Sequence, residues 1–164
     1  MKMIIEPLKK EEVKSAAHLA AGFRVKLNGF RGLVTEPDLE AGAEELSEYL
    51  EKGWPVFIAK EGDIPCGIVV CRVDEPCVWT EMLYVSPEYR RRGIASALFQ
   101  KAEEIAEACG ETTLFNFIHP NNEAIIAFLK SKGYSVLNLI EIRKPYAGET
   151  VTSKMRVGDN EFDY

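Results

Sequence analysis

The sequence predicts an α/β (α+β) domain over residues 1–164: a mixed, mostly antiparallel central sheet with helices on both faces. Three observations predict it. Strand-like runs in the middle of the chain follow one another across short turn signals, which implies antiparallel neighbours. Later strand-like runs are separated by helical ones, which implies crossovers and a parallel pair. Of 164 residues, 46% are apolar, enough for a real core in a chain of single-domain length.

The elements follow in order. Residues 3–8 are apolar enough for a first strand. Residues 11–22 read as a helix with Val13, Ala16, Ala17 and Ala20 on one side. Residues 22–36 hold three glycines and three basic residues and predict an irregular, mobile loop. Asp38, after Pro37, is an N-cap, and the helix it starts carries Leu39, Ala43, Leu46 and Leu50 and ends at Gly53. Three strands come next: 56–60, then 67–73 across the turn Asp63-Ile64-Pro65, then 78–85 after the break Asp74-Glu75-Pro76. The helix over 94–109 sets Ile94, Leu98, Ala102, Ile105 and Ala106 on one face, and Gly110 closes it. A strand over 112–119, a turn and cap at Pro120-Asn121-Asn122, a helix over 123–132 and a strand over 136–143 follow, with a last strand in 150–157.

Charge and composition exclude several classes. The net charge of −6 argues against a general nucleic-acid binder and favours a cationic small partner. No apolar run approaches the roughly 20 residues of a membrane helix. The start, Met1-Lys2-Met3-Ile4-Ile5-Glu6, reaches an acid and a proline before a signal-peptide core could form, so a cytoplasmic protein is expected. The four cysteines form no C-x-x-C pair and lie far from His18 and His119, so neither a metal site nor a disulfide framework is expected.

The most informative stretch is Arg90-Arg91-Arg92-Gly93-Ile94-Ala95-Ser96. It joins a strand to a helix through small residues. Helix N-termini carry unpaired N–H groups and the positive end of the helix dipole, which suits a phosphate. Gly93 lets backbone approach a ligand, and the arginines add charge beside it. The G-x-x-x-x-G-K-[ST] pattern is absent, which argues against a nucleotide-hydrolysing loop.

Arg90, Gly93 and Ala95 match the Arg/Gln-x-x-Gly-x-Gly/Ala signature of the GNAT superfamily of acyl-CoA N-acyltransferases. The run from Asn122 through Phe128 to Tyr134 resembles that family's Asn-Glu-x-Ala-Ile-x-Phe-Tyr-Glu-Lys-x-Gly-Phe helix. The resemblance implies acetyl-CoA, a coenzyme A thioester, as co-substrate. Its pyrophosphate would lie on backbone N–H groups at about Arg91, Arg92, Gly93, Ile94, Ala95 and Ser96. Its pantetheine would pair with Leu83, Tyr84 and Val85 as an added strand, a mode that main-chain recognition readily supplies. Asn122 and Phe128 would stand near the distal part of the cofactor, and Asn122 can cap the helix as well. The partner is a small-molecule or peptide amine, with no nucleic acid or membrane, and a homodimer is the assembly to test.

The family pattern also fails at two places. Leu129 stands where many members carry a tyrosine that protonates the leaving thiolate, and Phe117 where many carry a glutamate base. Glu81, on the strand that should contact the pantetheine, is the candidate base; the alternative is a solvent-facing glutamate. His119 is the second candidate, with a structural turn as its alternative. The expected function is N-acetyl transfer to an amine by direct attack. The alternative is a catalytically altered domain that senses acyl-CoA. Acceptor choice is expected in residues 22–53 and in the tail. There Arg24, Lys26 and Arg31 suit an anion, while the overall acidity suits a cation.

Overall fold

The computed structural model describes residues 3–164; Met1 and Lys2, the first two residues of the expected domain, lie outside them. The chain divides into two compact units, Met1–Ala127 and Phe128–Tyr164.

The first unit is built on one five-stranded sheet in the order β1 (Met3–Pro7), β2 (Val56–Glu61), β3 (Ile64–Asp74), β4 (Cys77–Val85) and β5 (Phe115–Asn116). The first four strands pair antiparallel, with short turns joining β2 to β3 and β3 to β4, and β4–β5 is parallel across a helical crossover. Helices α1 (Val13–Phe30) and α2 (Leu39–Glu51) cover one face. There Val13, Ala16, Leu19 and Ala20 of α1 and Leu46 and Tyr49 of α2 bury Ile58, Ile68, Val70 and Met82 of the sheet. Helix α3 (Ile94–Ala108) covers the other face. Gly67, next to Ile68 on β3, turns toward it so closely that a Cβ would lie 2.9 Å from Leu98. Leu98 and Phe99 of α3 are fully buried, and burial of such side chains stabilises by about 1.5–3 kcal/mol each.

Three boundaries differ from the sequence expectation. The loop expected at 22–36 is helical through Phe30, so α1 is about half again as long as its periodicity indicated. Tertiary contact outweighs glycine propensity here: Gly22 lies against Tyr84, and Phe23 packs on the core. The helix stops at Gly32, whose φ of 76° lets the Leu33 N–H reach the Asn28 carbonyl. The hairpin turn lies at Gly62-Asp63, because Ile64 and Pro65 already pair with Glu61 and Lys60. Pro65 is tolerated because the ladder bulges beside it. The strand expected over 112–119 shrinks to Phe115–Asn116, which face only Trp79 and Thr80. The Asp38 cap stands as the sequence has it, accepting the Ala41 N–H at 2.9 Å.

Helix α4 (Glu123–Ser131) crosses the division between the units. In the second unit β6 (Lys154–Val157) and β7 (Asn160–Asp163) form an antiparallel hairpin, so the last expected strand begins at Lys154 and gains a partner. The strand expected over 136–143 is absent among the described residues. Its apolar run has no ladder partner, and Val136, Leu137, Leu139 and Ile142 stay exposed. The Arg143 guanidinium instead donates twice to Glu149, at 2.8 Å each, and shapes the following turn.

Candidate active site where β4 leaves the sheet

After β4 the chain makes a single turn of 3-10 helix, Pro87–Tyr89, and then a tight reversal into α3. Arg91 and Gly93 both adopt left-handed backbone, with φ of 63° and 79°. The Arg90 N–H donates to the Pro87 carbonyl, and the first bond of α3 runs from the Ala97 N–H to the Gly93 carbonyl. Between them, no N–H from Arg91 to Ser96 donates to a backbone carbonyl among the described residues. Nothing lies within 4 Å of where a Gly93 Cβ would stand. Open donors around an open space at a helix start fit a pyrophosphate.

The three arginines of the turn have different roles. Arg90 folds back, donating from Nε to the Val85 carbonyl at 2.9 Å, with its guanidinium 5.5 Å from the Tyr84 ring centroid. Arg92 donates to the Glu88 carbonyl at 3.1 Å and pairs with Glu61 at 3.5 Å. Arg91 is exposed and has no such partner among the described residues, so of the three its charge is the uncommitted one.

Strand β4 pairs with β3 along its whole length, but with β5 only at Trp79 and Thr80. From Glu81 to Val85 its second edge has no strand neighbour among the described residues. That stretch includes Leu83, Tyr84 and Val85, where a linear amide-bearing arm could add as a strand. The register of β3 and β4 slips where this open edge begins: Val70 faces Met82, yet Cys71 faces Thr80. Glu81 is the extra residue of that bulge. The adjoining Thr80 Oγ1 is buried without a hydrogen-bond partner, a group that a ligand or water would satisfy.

Glu81 stands beside a polar network on the α1–α2 face. The Tyr49 hydroxyl donates to Glu45 at 2.5 Å, and Arg24 forks onto the same carboxylate, with Nε at 2.9 Å from Oε2. Burial pushes the Tyr49 phenol above its ordinary range, Glu45 pushes it further, and the Glu81 carboxylate adds to the effect against the opposing Arg24. The hydrogen bond to Glu45 raises the Arg24 guanidinium as well. Arg24 is therefore committed within the fold.

His119 follows β5 and packs against the end of α1. Its ring stacks on Phe30 at 5.7 Å, and its Nδ1 accepts the Asn121 N–H at 3.1 Å. Burial, and then the Arg31 charge, hold the imidazole below its ordinary 6.5. With Nδ1 accepting, the neutral ring carries its proton on Nε2. Asn122 Oδ1 faces the Ile125 N–H at 3.4 Å, the arrangement of a helix cap. Phe128 belongs to the second unit, where Lys132 Nζ stands 5.8 Å from its ring. The Asn116 amide donates to the Leu114 carbonyl at 3.1 Å. Among the thiols, burial pushes Cys71 up to about 12 and also raises Cys66, so neither is a ready nucleophile.

Three groups at this site went unread in the sequence: Tyr49, Thr80 and Arg72. Arg72 stands 4.6 Å from the Trp79 centroid and 5.5 Å from that of Phe117, which is 65% exposed. Hairpin register brings Arg72 opposite Trp79, and the parallel β4–β5 pairing, which leaves no mark in sequence spacing, brings up the Phe115–Phe117 segment.

The sheet opens beside β4 and ends at a turn of free backbone donors. Residues 27–134 match the acetyltransferase (GNAT) family, and the chain belongs to it. Solved structures share the fold. A PaiA N-acetyltransferase from Thermoplasma acidophilum, in complex with coenzyme A, is 18% identical with a TM-score of 0.69, covering 80% of this chain and 89% of that one. A ribosomal-protein-alanine N-acetyltransferase from Brucella melitensis biovar Abortus 2308 is 16% identical with a TM-score of 0.68, covering 88% of this chain and 100% of that one. AAC(6')-Iy, in complex with the bisubstrate analog CoA-S-monomethyl-acetylneamine, is 20% identical with a TM-score of 0.66, covering 89% of this chain and 100% of that one.

Proposed function

We propose that this chain is an N-acetyltransferase that moves the acetyl group of acetyl-CoA to an amine by direct attack, the chain 1–164 working as one catalytic domain. The observation that carries the proposal is the continuity of β4. One strand holds a carboxylate at its bulge, an open edge beyond it and a phosphate cradle at its end.

In this reading the turn from Arg91 to Ser96 binds the pyrophosphate, with Arg90 and Arg92 bracing the turn. Leu83, Tyr84 and Val85 hold the pantetheine, and Asn122 stands near the distal arm. Glu81 takes the proton that the acceptor ammonium must lose, directly or through a water. The amine nitrogen then bonds to the acetyl carbonyl carbon, the carbon–sulfur bond breaks with its electron pair leaving on sulfur, and the nitrogen gives up its second proton to the departing thiolate or to water. A thiol of ordinary pKa near 8.5 departs as thiolate with little help, which suits a site with Leu129 in place of a tyrosine. His119 is the weaker base, since its Nδ1 lone pair is already engaged. The high thiol pKa values of Cys66 and Cys71 favour direct attack over a cysteine-bound acetyl group.

A second reading, an acyl-CoA sensor, draws on Phe117 and Leu129, which leave both customary proton handlers absent. Calorimetry with acetyl-CoA, followed by thiol release across a panel of amines and peptides, separates the two. Binding with thiol release supports the enzyme. Binding without release for any amine supports the sensor, and no binding at millimolar acetyl-CoA overturns both.

A further inference from the structure

The sheet face that carries Glu81 carries one more charged group that the acetyl-transfer chemistry does not use. Val70 is part of the core under α1 and α2, and Arg72, two residues on along the same strand, projects from the same face. The extra residue of the bulge belongs to β4, so this alternation along β3 is undisturbed. Arg72 is directly opposite Trp79, and Glu81, the bulge residue, follows Trp79 by two positions along β4.

The surroundings of Arg72 are aromatic. Its guanidinium is flanked by Trp79 and Phe117, and Trp79 in turn packs on Phe115 at 5.4 Å. These rings hold the guanidinium plane and lower its hydration. No carboxylate or carbonyl accepts from it among the described residues, whereas Arg24, Arg90, Arg92 and Arg143 all have such an acceptor. A partly buried guanidinium with its donors unspent, held rigid by rings, is built to take a planar oxyanion in two parallel hydrogen bonds. It stands in a chain of net charge −6, so a free anion would be repelled overall, while a zwitterion would not.

We infer that Arg72 is an acceptor-binding residue, and that the acceptor is a small amine that also carries a carboxylate, of the α-amino-acid type. The inference rests on the acetyltransferase reading for the role of the amine. Arg72 holds the carboxylate and the amine lies toward Glu81. The rings of Trp79, Phe115 and Phe117 offer an apolar surface to the rest of the molecule. This assignment also resolves the conflicting charge cues of the sequence. Arg24 is spent on Glu45, and the anion-binding charge comes instead from β3.

The test is binding, read by calorimetry with coenzyme A present, of proteinogenic α-amino acids and of their C-terminal amides. Wild-type protein should bind its preferred amino acid about ten- to a hundredfold more tightly than the matching amide, the range for a charge-assisted pair of hydrogen bonds. Arg72→Gln should erase that preference without changing coenzyme A affinity, and Arg72→Lys should restore part of it. Equal binding of acid and amide by the wild type overturns the inference, as does absence of binding by either. So does a preference that survives in Arg72→Gln. Acetyl transfer is measured separately: acid-selective binding without transfer to any amine would sink the acetyltransferase reading and leave the carboxylate site standing.

Discussion

The two ends of the site, the turn that would hold the cofactor and the face that would hold the acceptor, are made of different material. The turn is backbone. Its donors are N–H groups, its shape comes from left-handed Arg91 and Gly93, and two of its three arginines brace the turn itself. The face is side chains drawn from distant segments: Arg24 and Tyr49 from the helices, Arg72 and Glu81 from the sheet. A backbone site tolerates change in most side chains and fails when the chain cannot take its path. A side-chain site keeps its path and fails one residue at a time.

Substitutions can break or sharpen this contrast. Glu81→Gln should have the largest effect, a fall in kcat of about 10²–10⁴ as expected for loss of a general base, with acetyl-CoA affinity unchanged in calorimetry. Full turnover in this variant would remove Glu81 as the base. Gly93→Val should do the reverse. It places a β-branched residue at a φ of 79° and fills the open space, so acetyl-CoA affinity should drop roughly tenfold or more in a folded protein. Native affinity would mean that the turn is not the cradle.

Tyr49→Phe should be smaller, about 1 kcal/mol of stability in urea titration for one lost hydrogen bond. Its kinetic effect should fall on the acceptor KM and spare that of acetyl-CoA. A change in the acetyl-CoA KM alone would dissolve the distinction between the two ends.

The smallest expected effect is on pH dependence. Because His119 is held below 6.5 in the fold, the unfolded chain binds a proton first as the pH falls. The stability that His119 contributes is whole above about pH 6.5 and is lost as the pH drops toward the folded-state value. His119→Gln should flatten that slope in chemical denaturation. An unchanged slope would place the titration elsewhere.

The same contrast explains what was legible in the sequence. The cofactor turn could be read because a backbone site has a local signature: strand, glycine, helix start, in consecutive residues. The strand directions from β2 to β5 followed from connection lengths, and Asp38 announced its helix because a cap is a local bond. The second half of α1 was misread because Gly22 and Gly29 lower helix propensity, while the contacts that hold it lie on β4 and in the core. The run over 136–143 has the composition of a strand, but a strand exists only with a neighbour to bond. Arg72 faces Trp79 through the regular hairpin at Asp74–Cys77, but Phe117 reaches them beside the parallel β4–β5 pair, whose register no local spacing rule fixes.

The contact between Gly22 and Tyr84 has a further consequence. A methyl group on residue 22 would lie 2.6 Å from the Tyr84 hydroxyl oxygen and 2.9 Å from the ring carbon that bears it. The two positions thus share one volume, divided wholly in favour of the aromatic. A larger residue at 22 must therefore push the Tyr84 ring aside or be matched by a shorter residue at 84. Arg90 would then lose the ring over which its guanidinium sits. A change in the middle of a helix thereby reaches the cofactor turn through a single side chain, and a paired replacement is the way to move one without the other.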